Sequence, residues 1–216
     1  STTDIIRTYS RHRQGILKQS AKTVLKIQKH LRLMNMRLDV VVKDIVGLTG
    51  TKIIADFING QTNGKELAKH RHYNCRKPEA EIAKALQYNG RDDYFFALKQ
   101  EWATYLHLQK QITQVDIQIK KPLVEIIDND DNKKQHIAFE KPYKRKNKNT
   151  IRGLDMNQIS YQYFEGVDIM AIEGVNDSTV MTIISEIGLQ GIKKFSSGKQ
   201  FTSWLRLAPN NRISGG

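Results

Sequence analysis

The stretch DIIRTYSRHRQGILKQSAKTVLKIQKHLRLMNMRLDVVVKDI, residues 4–45, decides the fold. Apolar or small residues recur along it at intervals of three or four, which is the spacing of one helix face, and no proline interrupts the run. We therefore predict one helix about 60 Å long, because an α-helix rises about 1.5 Å per residue. A domain of this size does not cover such a helix alone, so we expect a homo-oligomer in which part of the helix pairs with a partner helix.

The opposite face of this predicted helix is basic. Residues 1–43 carry a net charge of +8 out of +13 for the whole chain, and acidic partners four positions away are nearly absent. Such an excess is typical of polyanion binding, with nucleic acid as the first expectation. We favour contact with phosphates over a merely solvated face, and the pattern does not distinguish DNA from RNA. The candidate contacts on this face are Arg11, Lys18, Lys22, Lys26 and Lys29.

The rest of the first 127 residues also predicts helices. Gly47 and Gly50 break the first pattern, and several short helices follow, one of them opened by Pro78. A second long helix is predicted from about Asp92 to Ile127, with Pro122 kinking or dividing it. We predict an all-α fold in which residues 1–127 form a coiled-coil-like antiparallel pair of long helices topped by a short helical cap.

Residues 128–152 have the composition of a linker. They are polar, charged and aperiodic, and their basic residues are concentrated at Lys141, Lys144, Arg145, Lys146 and Lys148. The segment is interpreted as a tether that also contacts backbone phosphates, and a plain disordered tether is the alternative. Residues 153–216 are then predicted to form a small C-terminal helical domain.

The sequence IMAIEGVNDSTVMTIISEIG, residues 169–188, has the pattern of a helix-hairpin-helix. We predict a short helix from Asp168 to Ile172, a turn at Gly174, Val175 and Asn176, and a second helix capped by Asp177 or Ser178. Gly174 and Asn176 tolerate the left-handed backbone of such a turn. The hairpin would offer backbone N–H groups to a DNA phosphate without reading sequence, and a hairpin used only for packing is the alternative.

The segment FSSGKQFTSWLRLAPNNRISGG, residues 195–216, follows this hairpin. Together with Ile184–Gly188, it resembles the C-terminal domain of the insertion-sequence-110 family of transposases, second subgroup, although Arg206 stands where the family usually has Gly. The stretches LRLMNMRLDVVVKDIVGLTGTKIIADFINGQ, EIAKALQYNGRDDYFFALKQ and FEGVDIMAIEGVN look like the family's central region, so the resemblance covers nearly all of the chain.

This resemblance implies DNA transposition in which a serine hydroxyl attacks DNA, and motif position carries that role to Ser214. It also implies a structured noncoding RNA partner and Mg²⁺ held by a separate N-terminal ribonuclease-H-like domain. We expect the chain to be a fragment without that domain, holding no cofactor itself and binding nucleic acid without cleaving it. From spacing alone Ser214 is an ordinary turn residue, and the alternative function is a non-catalytic nucleic-acid-binding and dimerisation module.

Several other functions find little support in the sequence. No apolar run is long enough to span a membrane, no signal peptide is visible, and the lone Cys75 fits a reducing bacterial cytoplasm. His70, His72 and Cys75 suggest a zinc site, but a fourth ligand is not evident and no metal site is predicted. Aromatic residues on apolar helix faces are assigned to the core rather than to base stacking: Trp102, Tyr105 and Trp204.

Overall fold

The structure, a computed structural model, describes residues 2–128 and 149–205. Within these ranges the predicted all-α class is confirmed: there is no strand, and one isolated bridge joins Met36 to Leu86. None of the helices in these ranges is both long and apolar enough to span a bilayer. The helices are α1 Thr2–Leu33, α2 Leu38–Val41, α3 Leu48–Ile58, α4 Gly64–Ala68, α5 Glu79–Ala85, α6 Asp92–Asp128, α7 Met156–Tyr163, α8 Asp177–Thr182, α9 Gly188–Ile192 and α10 Gly198–Trp204.

The chain forms two compact units, and both long helices contribute to each. We call residues 16–111 the cap unit, and residues 1–15 together with 112–216 the terminal unit. Most of the predicted linker lies outside the described residues, so the division into 1–127, 128–152 and 153–216 stays a prediction.

The prediction that the first helix continues to Ile45 is wrong, because α1 ends at Leu33. Asn35 has a left-handed backbone with φ +59°, and its N–H donates to the carbonyl of Arg32 at 3.0 Å. The N–H of Met36 reaches back to Leu31 at 2.9 Å, which completes a Schellman motif with asparagine at the position usually held by glycine. Asparagine is one of the few residues that adopt this conformation at small cost, so the chain turns here without glycine or proline.

The core of the cap unit forms around Phe57 of α3, which is fully buried. The Phe57 ring packs edge-on against Tyr88 and Phe95, with centroid distances of 5.2 and 5.1 Å. Helices α1 and α6 contribute further side chains to the same cluster. Its other fully buried large members are Ile27, Met34, Met36, Leu38, Ile53, Ile54, Leu67, Ile82, Leu86 and Leu98. The short helices therefore cover one end of the long ones, as the sequence predicts.

The second long helix is continuous from Asp92 to Asp128, so Pro122 does not divide it. Proline removes one backbone donor and crowds the preceding turn, which usually breaks a helix. Here the Pro122 ring is buried and the next residue, Leu123, is 1% exposed. Burial of this apolar pair offsets the missing hydrogen bond.

Gly50 has a packing role rather than the helix-breaking one that the sequence suggested. It lies inside α3, and a Cβ placed on it would stand 2.0 Å from the carbonyl oxygen of Ile45. Only glycine lets these two backbone segments approach so closely. Gly15, inside α1, has nothing within 4 Å of the equivalent position apart from its chain neighbours and the backbone of its own helix.

These two helical glycines give a matched pair of stability predictions. Gly50→Ala forces backbone apart and should lower the free energy of unfolding by about 1–3 kcal/mol or more. Gly15→Ala should raise it by about 0.5–1 kcal/mol, because alanine loses less backbone entropy on helix formation. Urea denaturation of both variants measures the difference, and a Gly50→Ala variant as stable as Gly15→Ala would contradict the close approach.

Candidate nucleic-acid interface

A row of exposed lysines runs along α1 in the cap unit. Lys18, Lys22 and Lys29 lie within about 40° of one another around the helix axis, over a length of about 16 Å. All three side chains are exposed, and none is in an ion pair with the residues that the structure describes. We call these three residues the lysine row. Its ammonium groups can meet phosphates without first giving up a protein partner.

Lys26 differs from its neighbours in the lysine row. Its Nζ lies 3.1 Å from Oε1 of Glu101 on α6, in an exposed ion pair. Ser20 lies about a turn and a half before Lys26 on α1. Its Oγ accepts a hydrogen bond from the side chain of Gln109 at 3.0 Å, which again joins α6 to α1. The charge of Lys26 is thus partly compensated within the cap unit, which makes Lys26 a weaker candidate for phosphate contact than the lysine row.

Arg11, a candidate phosphate contact, lies in the terminal unit and faces Glu186 there. Its Nε and an Nη donate to the two carboxylate oxygens of Glu186 at 2.9 and 2.7 Å, a bidentate pair. The hydrogen bond from Arg11 holds the pKa of Glu186 below its ordinary value, while partial burial opposes the shift. The same pairing raises the pKa of Arg11. In this structure Arg11 joins α1 to the C-terminal region.

Arg7 strengthens the same junction through backbone carbonyls. Its Nε donates to the Ser185 carbonyl at 3.0 Å and an Nη donates to the Glu186 carbonyl at 3.2 Å. Both carbonyls belong to a π-helical segment, Ile183–Ile187, that continues α8 and ends at Gly188 with φ +67°. A π-turn and a helix end leave carbonyls without intrahelical partners, and Arg7 satisfies two of them.

The terminal unit also contains a buried ion pair that was not predicted from the sequence. Arg13 of α1 bonds the carboxylate of Asp116 on α6, and their side chains are only 10% and 5% exposed. The backbone N–H of Arg152 donates to the other Asp116 oxygen at 3.4 Å. The available signal was Asp116 beside Val115 on an otherwise apolar helix face, but nothing local indicates its distant partner.

The predicted hairpin is present as a turn, with different caps. Gly174 is left-handed with φ +87°, as predicted, whereas Asn176 is extended with φ −143°. The caps predicted at Asp177 or Ser178 are wrong: Asn176 caps α8, because its side chain accepts from the Thr179 N–H at 3.1 Å. The segment before the turn is a single 3₁₀ turn, Ile169–Ala171, rather than an α-helix.

Val175 supports this turn from the inside. Its side chain is 4% exposed, and its N–H donates to the carbonyl of Ile172 at 3.2 Å. Gly174 and Asn176 are exposed and are the hairpin residues that a ligand can approach. The turn therefore offers a surface, although the N–H of Val175 is already used.

The remaining candidates divide into two sets. The residues that suggested a zinc site lie in the loop after α4. His70 bonds Asp56 at 2.9 Å, and the Cys75 thiol faces the Val41 carbonyl at 3.8 Å. Among the described residues there is no group of three or more possible metal ligands. Trp102 is buried, as predicted, and stacks on Tyr105, whereas Trp204 is 42% exposed. The other set lies outside the described residues and stays predicted: Lys141, Lys144, Arg145, Lys146, Lys148 and Ser214.

Comparison with protein families gives a match to the hairpin and the C-terminal motif. Residues 168–216, less than a quarter of the chain, match the model described as "Transposase IS116/IS110/IS902 family". This match supports a transposase of that family and, in general terms, transposition or recombination. Comparisons with curated proteins and with solved structures give no match.

A second family model covers a different part of the chain and names a different class of protein. The model described as "O-phosphoseryl-tRNA(Sec) selenium transferase, SepSecS" matches residues 15–162. The described part of this range consists mainly of long amphipathic helices and short helices, with no strand. Alternating apolar and lysine-rich faces recur in many unrelated helical proteins. The two matched ranges do not overlap, and the match over residues 168–216 is the one that contains the hairpin and the C-terminal motif.

Breaking the buried ion pair should destabilise the protein strongly. Asp116→Asn leaves the buried Arg13 guanidinium without a counter-charge, and we expect a loss of about 3–5 kcal/mol in the free energy of unfolding. The double variant Arg13→Met/Asp116→Leu removes both charges and should recover most of this loss. Urea denaturation measures all three proteins.

The exposed ion pair between Arg91 and Asp93 supplies the control. Arg91→Gln should leave the unfolding midpoint near that of the wild type, because exposed pairs contribute little. The interpretation is contradicted when Asp116→Asn behaves like Arg91→Gln, or when the double variant is no more stable than Asp116→Asn.

Proposed function

We propose that this chain is part of a transposase that recombines DNA, with the Ser214 hydroxyl as its nucleophile. The observation that carries the proposal is the match of residues 168–216 to the transposase family, in a segment that ends in Ile213-Ser214-Gly215-Gly216. Glycines after a nucleophile keep bulk away from the attacking oxygen and suit close approach to a phosphodiester.

The proposed step forms one P–O bond and breaks another, so the phosphate remains a diester. The Ser214 oxygen attacks phosphorus and loses its proton, a phosphoserine bond forms, and the P–O bond to the departing strand breaks as that oxygen gains a proton. The resemblance to the family implies that Mg²⁺ activates the serine hydroxyl for this attack. The described residues offer no group that fits this ion, so we assign no step to it here.

We also propose that the lysine row binds backbone phosphates of DNA, or of a structured noncoding RNA. Its three ammonium groups, which form no ion pair with the described residues, support this proposal, and phosphate contacts of this kind carry no sequence preference. The hairpin surface at Gly174 and Asn176, supported from beneath by Val175, is a second proposed contact. The basic residues Lys144, Arg145, Lys146 and Lys148 are a third.

The alternative, a non-catalytic module that binds nucleic acid and dimerises, keeps one supporting observation. Leu48 of α3 and Leu106 of α6 are 67% and 49% exposed in the cap unit, and a partner could cover such apolar side chains. This alternative makes no use of Ser214, so a substitution there separates the two functions.

The test is Ser214→Ala in the intact transposase. Transposition should be lost, because a methyl group cannot form the phosphoserine bond, while binding to DNA stays at the wild-type level. A transposition assay scores the first property and a DNA-binding titration the second.

Ser203→Ala is the matched control, since Ser203 is an exposed serine of α10 in the same motif. It should transpose normally. Unchanged transposition by Ser214→Ala would remove the nucleophile from the proposal and leave the non-catalytic module.

A further inference from the structure

The loop KHRHYNCRK, residues 69–77, joins α4 to the segment before α5 in the cap unit. It carries four Lys or Arg residues, two histidines and one tyrosine, and no acidic residue. The function proposed above leaves this loop without a role, and its two histidines and cysteine are not gathered into a metal site within the described residues.

The loop is held by the side chain of Arg71, by its own backbone and by a hydrogen bond to Thr49 of α3. The Arg71 guanidinium donates to the carbonyls of Lys77 and Cys75 at 2.7 and 2.6 Å. The N–H of Cys75 donates to the His72 carbonyl at 2.8 Å, and the N–H of His72 donates to Oγ1 of Thr49 at 3.0 Å. Because Arg71 holds the backbone carbonyls, the loop is ordered before a ligand binds. Binding then does not lose the free energy that ordering the loop would cost.

The rings of His72 and Tyr73 pack against each other in the middle of this loop. Tyr73 is 80% exposed, the most exposed of the large hydrophobic side chains in the described ranges. Its ring packs against His72, with centroids 4.2 Å apart and an angle of 34° between the planes. His72 is itself held through its Nδ1, which accepts from the N–H of Asn74 at 3.2 Å. One face of the tyrosine is thus supported, and the ring remains open to solvent.

Basic residues lie close to the ring pair along the chain. Lys69 and Lys77 are in exposed ion pairs with Glu66 and Glu81, at 2.6 and 2.8 Å. Arg76 is exposed, and the described residues supply it with no ion pair. Exposed Lys43 adds a further positive charge, two residues from Val41, whose carbonyl contacts the Cys75 thiol. An exposed ring in a basic loop, with Arg76 and Lys43 in no ion pair with the described residues, suits a ligand with a flat aromatic face and a negative backbone.

We infer that Tyr73, supported by His72, is a stacking platform for an unpaired base of single-stranded DNA or RNA, with Arg76 near its phosphate. This inference rests on the proposed nucleic-acid function. Paired bases in a duplex hide their faces in the stack, so the platform distinguishes single strands from duplexes. The two sources of the base share this chemistry and are separated by experiment.

The experiment uses the full 216-residue chain with three probes of one sequence: single-stranded DNA and single-stranded RNA, each with one 2-aminopurine, and duplex DNA. Tyr73→Ala should weaken single-strand binding about five- to 150-fold and remove the quenching of 2-aminopurine fluorescence. Tyr73→Phe should keep both, because stacking needs the ring and not the hydroxyl. Duplex affinity should stay unchanged in both variants. The strand that loses more affinity identifies the source of the base.

Phe96→Ala is the matched control, because it removes another exposed ring from the cap unit. It should leave single-strand affinity and quenching at wild-type values. Tyr73→Ala with wild-type affinity and quenching would overturn the platform alone, as would an equal loss in Tyr73→Phe. A chain that binds none of the three probes would overturn both the platform and the nucleic-acid function. Unchanged helical circular dichroism shows that each variant is folded.

Discussion

The buried pair between Arg13 and Asp116 is the interaction on which the terminal unit depends. Two charges removed from water are tolerated only when each finds its partner, so the pair fixes α1 against α6 at one register. Asp116 also accepts a hydrogen bond from the backbone N–H of Arg152 at 3.4 Å. With that register set, Arg7 and Arg11 reach the π-helical segment and Glu186. In this structure the arginines at the start of α1 therefore make contacts within the terminal unit.

The same helix serves a different purpose in the cap unit. Lys18, Lys22 and Lys29 carry no ion pair with described residues, whereas Lys26 is held by Glu101. The helix thus keeps its arginines in internal pairs and leaves three of its four lysines in no ion pair with the described residues. The division suits the chemistry, since guanidinium makes bidentate contacts at fixed geometry and ammonium is a mobile point charge.

Much of the fold was predictable because it follows from local pattern. The spacing of apolar residues predicted α6 and the short cap helices, and Gly174 marked the hairpin turn. Two wrong predictions concern asparagine, which can either adopt the left-handed conformation or cap a helix. Asn35 adopts the left-handed conformation and ends α1, whereas Asn176 caps α8. The partner of Asp116 is about a hundred residues away, so no local pattern indicates it. Arg11 was predictable as a cation but not as the partner of Glu186.

The role proposed for the lysine row is to hold the phosphate backbone of nucleic acid. The direct measurement is the slope of log binding constant against log salt concentration for duplex DNA. Replacing Lys18, Lys22 and Lys29 with Gln should reduce the magnitude of that slope by about 2.7, since each phosphate contact contributes about 0.9. Lys26→Gln should change it by less than a third of that amount, because Glu101 already compensates this charge. A triple variant with the wild-type slope and affinity would contradict the account.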